Sequence, residues 1–243
     1  MARVRVDLLL VARGLAESRA KAQAAIAAGG VRANGVLVRQ ASDLIDEDAV
    51  LHCEAPHPWV SRGGVKLAHA LNVFAVSPSG RICLDVGAST GGFTDVLLAR
   101  GAARVYAVDV GQGQLHARLA ADARVISLER TDARALTRTF IAEPPSLIVC
   151  DASFIGAQKV LSVPLSLAAP EVDLIALIKP QFEAGPGRAD KNGVLADDIA
   201  RAAAAHAIIA LDGLEGFRAV ASIESPIRGG AGNLEFLLHA RRA

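Results

Sequence analysis

A glycine-rich stretch that follows an apolar run carries the clearest chemical signal in this chain. It reads Ile82-Cys83-Leu84-Asp85-Val86-Gly87-Ala88-Ser89-Thr90-Gly91-Gly92-Phe93-Thr94. The pattern predicts a buried strand, a tight turn and then a helix, which is the outline of a nucleotide-cofactor site. The carboxylate of Asp85 would repel a pyrophosphate but would suit a cationic, amine-bearing group. The order of residues therefore favours S-adenosylmethionine over a dinucleotide, and the alternative is an ordinary strand-to-helix turn.

Polar residues end four of the predicted strands. Asp85, Asp109, Asp151 and Lys179 each close an apolar run, and ligands of an open α/β sheet bind outside the carboxyl ends of its strands. We expect Asp109 to accept hydrogen bonds from a ribose diol. Asp132 is placed to meet an adenine amino group, although it also fits a plain turn. The predicted cofactor-binding residues are Asp85, Gly87, Ala88, Ser89, Thr90, Gly91, Gly92, Phe93, Asp109 and Asp132.

Two further charged residues lie in contexts where a solvated side chain is not expected. Glu235 is flanked by Leu234 and Phe236 inside a predicted strand, and a buried acid needs a partner. Lys66 and Lys179 are the candidate partners. Asp151 and Lys179 end the fourth and fifth strands of the sheet, where a substrate nucleophile would approach the cofactor.

The elements that position these residues alternate from residue 61 onward. Strands are predicted at 82–86, 104–110, 125–128, 146–150 and 172–178, with helices at 65–74, 93–100 and 196–211. Two last strands, 217–225 and 233–240, form an antiparallel pair. This is an α/β fold of the Rossmann-like class I methyltransferase type, with a seven-stranded sheet whose last strand is antiparallel.

A small α+β module precedes this sheet. Helices are predicted at 6–15 and 19–28, a hairpin at 31–38 around Asn34-Gly35, and a strand at 49–53. We assign residues 1–54 to this module, 55–60 to a linker and 61–243 to the larger domain. The linker holds the single Trp, Trp59, for which core packing is favoured over RNA contact.

Charge is distributed unevenly although the net charge of the 243-residue chain is only +1. Residues 1–42 hold seven basic and two acidic residues, whereas residues 43–54 hold five acids and no Lys or Arg. A basic module beside a nearly neutral domain predicts a polyanionic partner. We expect phosphate contacts from Arg3, Arg5, Arg19, Lys21, Arg32 and Arg39, and further RNA contacts from Arg62 and Arg188; a solvated basic face is the alternative.

Taken with their contexts, these motifs resemble those of a known family. Lys66, Asp151, Lys179 and Glu235 match the order of the Lys-Asp-Lys-Glu tetrad of FtsJ-like ribose 2′-O-methyltransferases. The segments 61–67, 85–94 and 178–185 are similar to the TlyA branch of that family, whose members are named as haemolysins or rRNA methyltransferases. The N-terminal module resembles the alpha-L RNA-binding fold of a small-subunit ribosomal protein and of pseudouridine synthases.

The resemblance implies methylation of a ribose 2′-hydroxyl, with cytidine as the nucleoside, in ribosomal RNA. A lysine becomes a base when burial or a neighbouring cation favours its neutral form. We therefore predict Lys179 as the base and Lys66 as the neighbouring cation that also orients the hydroxyl. Asp151 and Glu235 would hold the two lysines, and no metal is expected.

Other functions remain open at this stage. A non-catalytic RNA-binding or ribosome-assembly factor could keep the same fold. A membrane-lytic protein is disfavoured because Asp7 and Arg13 interrupt the first apolar run and no run approaches the ~18 apolar residues of a membrane helix. Base methylation is disfavoured because Asp151-Ala152-Ser153-Phe154 lacks the paired prolines typical of amine methylation, and Cys150 is expected to face the core. The three dispersed cysteines predict a reducing, cytoplasmic setting. A monomer is expected because nothing in the sequence demands a dimer.

Overall fold

The computed structural model describes residues 3–185 and 187–242. The chain forms two compact units, Met1–Pro58 and Trp59–Ala243. Trp59 and Val60, which the sequence assigned to the linker, pack with the apolar core of the second unit.

The first unit contains two helices and two small sheets. Val6, Leu10, Ala22, Ile26 and Val31 form its buried core. Strand β1 pairs antiparallel with β4, and the second sheet has the order β3-β2-β5. Its elements are β1 Arg3–Arg5, α1 Val6–Ala12, α2 Arg19–Ala27, β2 Val31–Ala33, β3 Val36–Leu37, β4 Leu44–Asp46 and β5 Leu51–Cys53.

Local signals predicted most of this unit, and tertiary pairing explains the differences. The Ser18 hydroxyl accepts a hydrogen bond from the Lys21 backbone at 3.3 Å, which confirms the predicted start of α2. Helix α1 ends at Ala12, earlier than predicted, because Gly14 turns the chain at φ +69°. The sequence analysis predicted no strand at Leu44–Asp46, which forms because these residues pair with β1.

The second unit is built on a seven-stranded sheet of order β11-β12-β10-β9-β6-β7-β8. Strand β12 runs opposite to the other six strands of this sheet, as predicted. The strands are β6 Ile82–Val86, β7 Arg104–Val108, β8 Val125–Leu128, β9 Leu147–Cys150, β10 Val172–Ile178, β11 Arg218–Glu224 and β12 Phe236–Arg242. The helices are α3 Arg62–Val73, α4 Gly92–Ala99, α5 Ala117–Ala120, α6 Ala157–Ser166, α7 Pro180–Glu183 and α8 Asp197–Leu211.

Alternating side chains of the strands build two cores, one on each face of the sheet. Leu84 and Val86 of β6 join the core that includes α6 and α8. Cys83 joins the core that includes α3 and α4. Asp85 follows Cys83 by two residues and therefore points to the α3–α4 face, directly beneath the glycine turn.

Two helix or strand boundaries differ from the sequence prediction near the site, and one helix was not predicted. Helix α3 begins at Arg62, so Gly63 and Gly64 lie inside its first turn. Strand β12 begins at Phe236, so Glu235 precedes the strand and was wrongly placed within it. The preceding Asn233 is held by the segment before α8, because its side chain accepts from the Leu195 amide and donates to the Gly193 carbonyl. Helix α6 was not predicted because Pro164 interrupts its pattern.

Candidate active site

The turn between β6 and α4 needs glycine at two positions. Gly87 and Gly91 have φ of +83° and +93°, a region that side chains disfavour. A Cβ at Gly87 would lie 2.8 Å from the Ala152 backbone, so the turn sits directly against the segment that follows β9. The glycines therefore bring the turn and Asp151 to one edge of the sheet.

The first turns of α3 and α4 meet beside this glycine turn. A Cβ at Gly92 would collide with the Ser61 hydroxyl and lie 3.0 Å from the Gly64 amide, and a Cβ at Gly63 would lie 3.3 Å from Asp151 Oδ2. Between them is a cleft of about 410 Å³. Its lining includes Ser61, Arg62, Ser89, Phe93, Asp151, Ser153 and Lys179.

Asp85 is fully buried under the turn. Its Oδ2 accepts a hydrogen bond from the Thr94 hydroxyl at 2.7 Å, while Oδ1 has no hydrogen-bond partner among the described residues. Burial raises the pKa of Asp85 to about 7, the Thr94 hydrogen bond opposes that rise, and the nearby carboxylates of Asp151 and Asp109 add to it. Asp85 is not among the residues that line the smaller cleft, and its role towards a cofactor stays a prediction.

Asp109 connects the glycine turn to the segment after β7. Its Oδ2 accepts from the Ser89 amide at 2.8 Å and its Oδ1 from the Gly111 amide at 2.7 Å. It lines a second cleft of about 930 Å³, which also borders Val86, Gly87, Gln114, Asp132 and Asp151. Each oxygen retains a second lone pair, so the carboxylate can still accept from a ribose.

Asp132 lies on the wall of the same cleft but is held by a neighbour. Arg134 contacts both of its oxygens, with Nη2 2.6 Å from Oδ2 and Nε 3.0 Å from Oδ1. This guanidinium lowers the pKa of Asp132. Its role at an adenine amino group stays a prediction.

The structure arranges the four tetrad residues as two ion pairs. Lys179 Nζ lies 2.6 Å from Asp151 Oδ1 and also contacts the Asp151 carbonyl at 3.0 Å and the Ser153 hydroxyl at 2.7 Å. Lys66 Nζ lies 2.5 Å from Glu235 Oε2, and both of these side chains are buried. Asp151 and Lys179 line the smaller cleft, whereas Lys66 and Glu235 are not among its lining residues.

Two aromatic side chains at the mouth of the larger cleft carried no sequence prediction. Phe154 is 90% exposed, its φ is +66°, and its ring centroid lies 5.1 Å from that of Phe182. A bulky residue in this backbone region is strained. Both aromatics follow a predicted site residue by three positions, Asp151 and Lys179, and that adjacency was the available signal.

Cys150 is buried at 2% exposure in the sheet core, as expected. Burial raises the pKa of its thiol to about 12. A thiol in this state is a poor nucleophile, which disfavours a cysteine-based methylation of a base.

The predicted RNA-binding residues of the first unit differ in how firmly they are held. The buried carboxylate of Asp7 accepts from Arg5 at 3.0 Å, Arg19 at 2.8 Å and Gln23 at 2.9 Å. Lys21 pairs with Glu17, and Arg3 lies 3.9 Å from Asp46. Arg32 and Arg39 form no ion pair with another described residue.

In the second unit, Arg62 donates to the Arg228 carbonyl at 2.5 Å and also lines the smaller cleft. Arg188 is exposed. Within the described residues, no group of three or more His, Cys, Asp or Glu side chains is placed to hold a metal ion. No helix among these residues has the length and apolar character needed to cross a membrane.

Comparison with known proteins identifies the two units separately. Residues 59–242 match the FtsJ-like methyltransferase family, and residues 4–51 match the S4 domain. The second match lies within the α+β module predicted from the sequence.

Relatives cover nearly the whole chain. The 16S/23S rRNA (cytidine-2′-O)-methyltransferase TlyA of Mycobacterium tuberculosis is 45% identical over 98% of this chain and 90% of its own. Hemolysin A of Brachyspira hyodysenteriae is 41% identical over 97% of this chain and 99% of its own.

Solved structures agree with this assignment. A hemolysin candidate from Streptococcus thermophilus superposes with a TM-score of 0.73 at 38% identity, covering 100% of this chain and 90% of that chain. A toxoflavin-precursor N-methyltransferase from Burkholderia thailandensis has a TM-score of 0.54 at 18% identity, over 76% of this chain and 80% of that chain. The latter likeness concerns the fold alone.

Proposed function

The chain belongs to the FtsJ-like methyltransferase family, in its TlyA branch, and we propose that it methylates a cytidine ribose 2′-hydroxyl of ribosomal RNA. Such an enzyme uses S-adenosylmethionine as the methyl donor. The observation that carries the ribose assignment is the Lys179–Asp151 pair, which opens into the cleft beside the glycine turn. The names of the relatives support cytidine in ribosomal RNA as the substrate.

The residues around the turn fit this cofactor. Gly87 and Ser89 of the turn line both clefts, and Asp85 lies fully buried beneath the turn with its Oδ1 unpartnered among the described residues, which favours a cationic amine nearby. Asp109 faces the larger cleft with free lone pairs for a ribose diol. S-adenosylmethionine supplies an electrophilic methyl group bound to a sulfonium sulfur.

Lys179 acts as the base in this proposal. As an ammonium ion it donates to the Asp151 carbonyl at 3.0 Å and to the Ser153 hydroxyl at 2.7 Å, and it forms an ion pair with Asp151 Oδ1 at 2.6 Å. The neutral amine has one lone pair in place of one proton. Of the three partners, only the Ser153 hydroxyl can turn and donate to that lone pair, so Ser153 can accommodate both forms of Lys179.

The ribose 2′-hydroxyl then takes the place of Ser153 at the Lys179 lone pair. The amine accepts the hydroxyl proton, the ribose oxygen forms the new bond to the methyl carbon, and the bond from that carbon to sulfur breaks. The resulting ammonium ion is stabilised by Asp151. Positioning of the oxygen in line with the methyl group supplies a large part of the rate.

Phe154 and the first unit supply the RNA contacts in this proposal. The exposed ring of Phe154, which directly follows the Lys179 partner Ser153 in the chain, is a surface on which an unstacked base can lie. Arg3, Arg5, Arg19, Lys21, Arg32 and Arg39 of the S4 domain, with Arg62 and Arg188 of the second unit, contact phosphates. Because ribosomal RNA is the substrate, we place the activity in the cytoplasm.

Purified ribosomal subunits that lack the modification test this function. Labelled S-adenosylmethionine is incubated with the small and large subunits separately, together with wild-type protein or Lys179→Arg. Arginine keeps the positive charge but cannot act as a base. We expect wild-type protein to label RNA, and Lys179→Arg to do so about 10²- to 10⁴-fold more slowly while its cofactor affinity is retained. Equal rates for the two proteins would refute Lys179 as the base.

A further inference from the structure

The segment 110–116 that follows β7 forms one wall of the larger cleft. Val110, Gly111 and Gln114 contribute to its lining, next to Asp109. The segment has no regular secondary structure; it begins beside Asp109 and ends at His116, next to helix α5. Its position therefore has to be fixed by contacts from outside the segment.

One carboxylate holds the centre of this segment. Glu129 Oε2 accepts from the Gly113 amide at 2.7 Å, and Oε1 accepts from the amides of Gln114 at 2.8 Å and Leu115 at 3.1 Å. These three hydrogen bonds lower the pKa of Glu129. Successive amides that converge on one point form an anion-binding nest, and here the protein's own carboxylate fills it. The φ of +64° at Gly113 makes this path possible.

The first part of the segment is bonded to the residue range that follows β8, and its last residue is bonded to the glycine turn. Arg130 donates its backbone N–H to the Gly111 carbonyl at 2.9 Å, and His116 donates to the Thr90 carbonyl at 3.2 Å. A Cβ at Gly91 would lie 2.8 Å from Leu115 Cδ1, so Leu115 packs directly over the glycine turn. A displacement of the segment would thus alter both the cleft wall and the turn.

We infer that Glu129 is a positioning residue that holds segment 110–116 closed against the bound cofactor and thereby sets cofactor affinity. This inference rests on the proposed function, because it takes S-adenosylmethionine as the occupant of the cleft. Glu129 does not line either cleft and acts through the segment. Without its carboxylate the three amides lose their common acceptor, and the closed arrangement becomes a smaller fraction of the population. Apparent affinity falls in proportion to that fraction.

Glu129→Gln tests the inference with little change of shape. Glutamine offers one acceptor oxygen and places an NH₂ donor against amide donors. Gly113→Ala is a second variant: no other atom lies within 4 Å of the added methyl, but the positive φ is disfavoured for alanine. Glu171→Gln, at an exposed carboxylate just before β10, is the matched control.

The measurements are cofactor affinity by calorimetry with S-adenosylhomocysteine and S-adenosylmethionine, and steady-state methyl transfer. We expect Glu129→Gln to weaken affinity about 10- to 100-fold and to raise the KM for S-adenosylmethionine. The kcat at saturating cofactor and the KM for RNA should remain within about twofold of wild type. A general loss of structure would instead lower kcat through a smaller active fraction.

The inference would be overturned if Glu129→Gln and Gly113→Ala both bound the cofactor as tightly as the Glu171→Gln control. It would also be overturned if Glu129→Gln lowered kcat alone and left cofactor affinity unchanged. If Glu129→Gln does not fold, as judged by thermal unfolding without cofactor, the Gly113→Ala affinity decides. Wild-type protein that binds no cofactor would overturn the proposed function and this inference together. Cofactor binding by wild-type protein is measured before any variant, so a failure of the proposed function is distinguished from a failure of this inference alone.

Discussion

Asp85 is the residue whose charge state the fold disturbs most clearly. It is fully buried, one of its oxygens lacks a partner among the described residues, and its pKa is raised to about 7. The folded state therefore holds a proton that the unfolded chain releases near pH 4. The contribution of Asp85 to the free energy of unfolding is therefore fully present below the unfolded-state pKa. It decreases as the pH rises from there to about 7, the folded-state pKa.

We expect Asp85→Asn to remove that pH dependence, because asparagine stays neutral. Between pH 5 and pH 8, wild-type protein should lose roughly 3 kcal/mol of unfolding free energy relative to the variant, since one pKa unit corresponds to about 1.4 kcal/mol. Urea denaturation of both proteins at the two pH values measures this difference, in which other titrating groups cancel. Parallel curves for the two proteins would show that Asp85 is charged throughout the range.

Phe154 gives a second prediction at the residue scale. Stacking of a base on an aromatic side chain contributes about 1–3 kcal/mol, so Phe154→Ala should lower kcat/KM for RNA roughly 10- to 100-fold and leave cofactor affinity unchanged. The comparison is with Phe140→Ala, which removes another part-exposed ring that lies outside both clefts. Equal kcat/KM values for the two variants would show that no base of the RNA stacks on Phe154.

At the scale of elements, the Lys66–Glu235 pair joins helix α3 to the segment before β12. Removal of one partner leaves a buried charge without compensation, which costs about 3–5 kcal/mol, whereas an apolar replacement of both is often neutral. We expect Lys66→Met and Glu235→Leu each to destabilise the fold by that amount in chemical denaturation. The double variant should recover wild-type stability but not methyl transfer.

The double variant separates structural support from a role in the reaction. Wild-type rates of methyl transfer in a stably folded Lys66→Met/Glu235→Leu protein would show that the pair serves only the fold. An inactive double variant with normal cofactor affinity would agree with its assignment to the tetrad.

Sequence patterns predicted those elements whose structure is determined locally. The glycine turn was predicted correctly in register because an apolar strand and glycines with positive φ leave few alternatives there. The pairing of Glu235 with a lysine was expected from its apolar neighbours, and Lys66 proved to be the partner.

Ser153 and Phe154 were missed as site residues because an exposed aromatic or a lone hydroxyl after a strand has no periodic signal. The early start of α3 depends on the tight packing of Trp59 against Gly64, which only the tertiary structure shows.

At the scale of the whole molecule, our account assigns RNA binding to the S4 domain, whose basic residues precede its acidic stretch in the chain, and methyl transfer to the second unit. Arg32 and Arg39 have no ion pair with another described residue, whereas Arg5 and Arg19 share the buried carboxylate of Asp7. We expect the Arg32→Ala/Arg39→Ala variant to lower the slope of log affinity against log salt by about 1–2 in RNA-binding titrations. Arg100→Ala, at an exposed position of the second unit bonded to Asn72, is the control. An unchanged slope would place the phosphate contacts elsewhere.

The chemical nature of the methylated position tests the central claim most directly. RNA labelled by the wild-type protein is hydrolysed with alkali, which needs a free 2′-hydroxyl at each cleaved position. Our account predicts that the label stays in an alkali-resistant dinucleotide whose 5′ nucleoside is cytidine, and that Lys179→Arg protein gives almost none of it. Label recovered in mononucleotides would mean that a base is methylated, and would contradict a ribose methyltransferase built on Lys179 and Asp151.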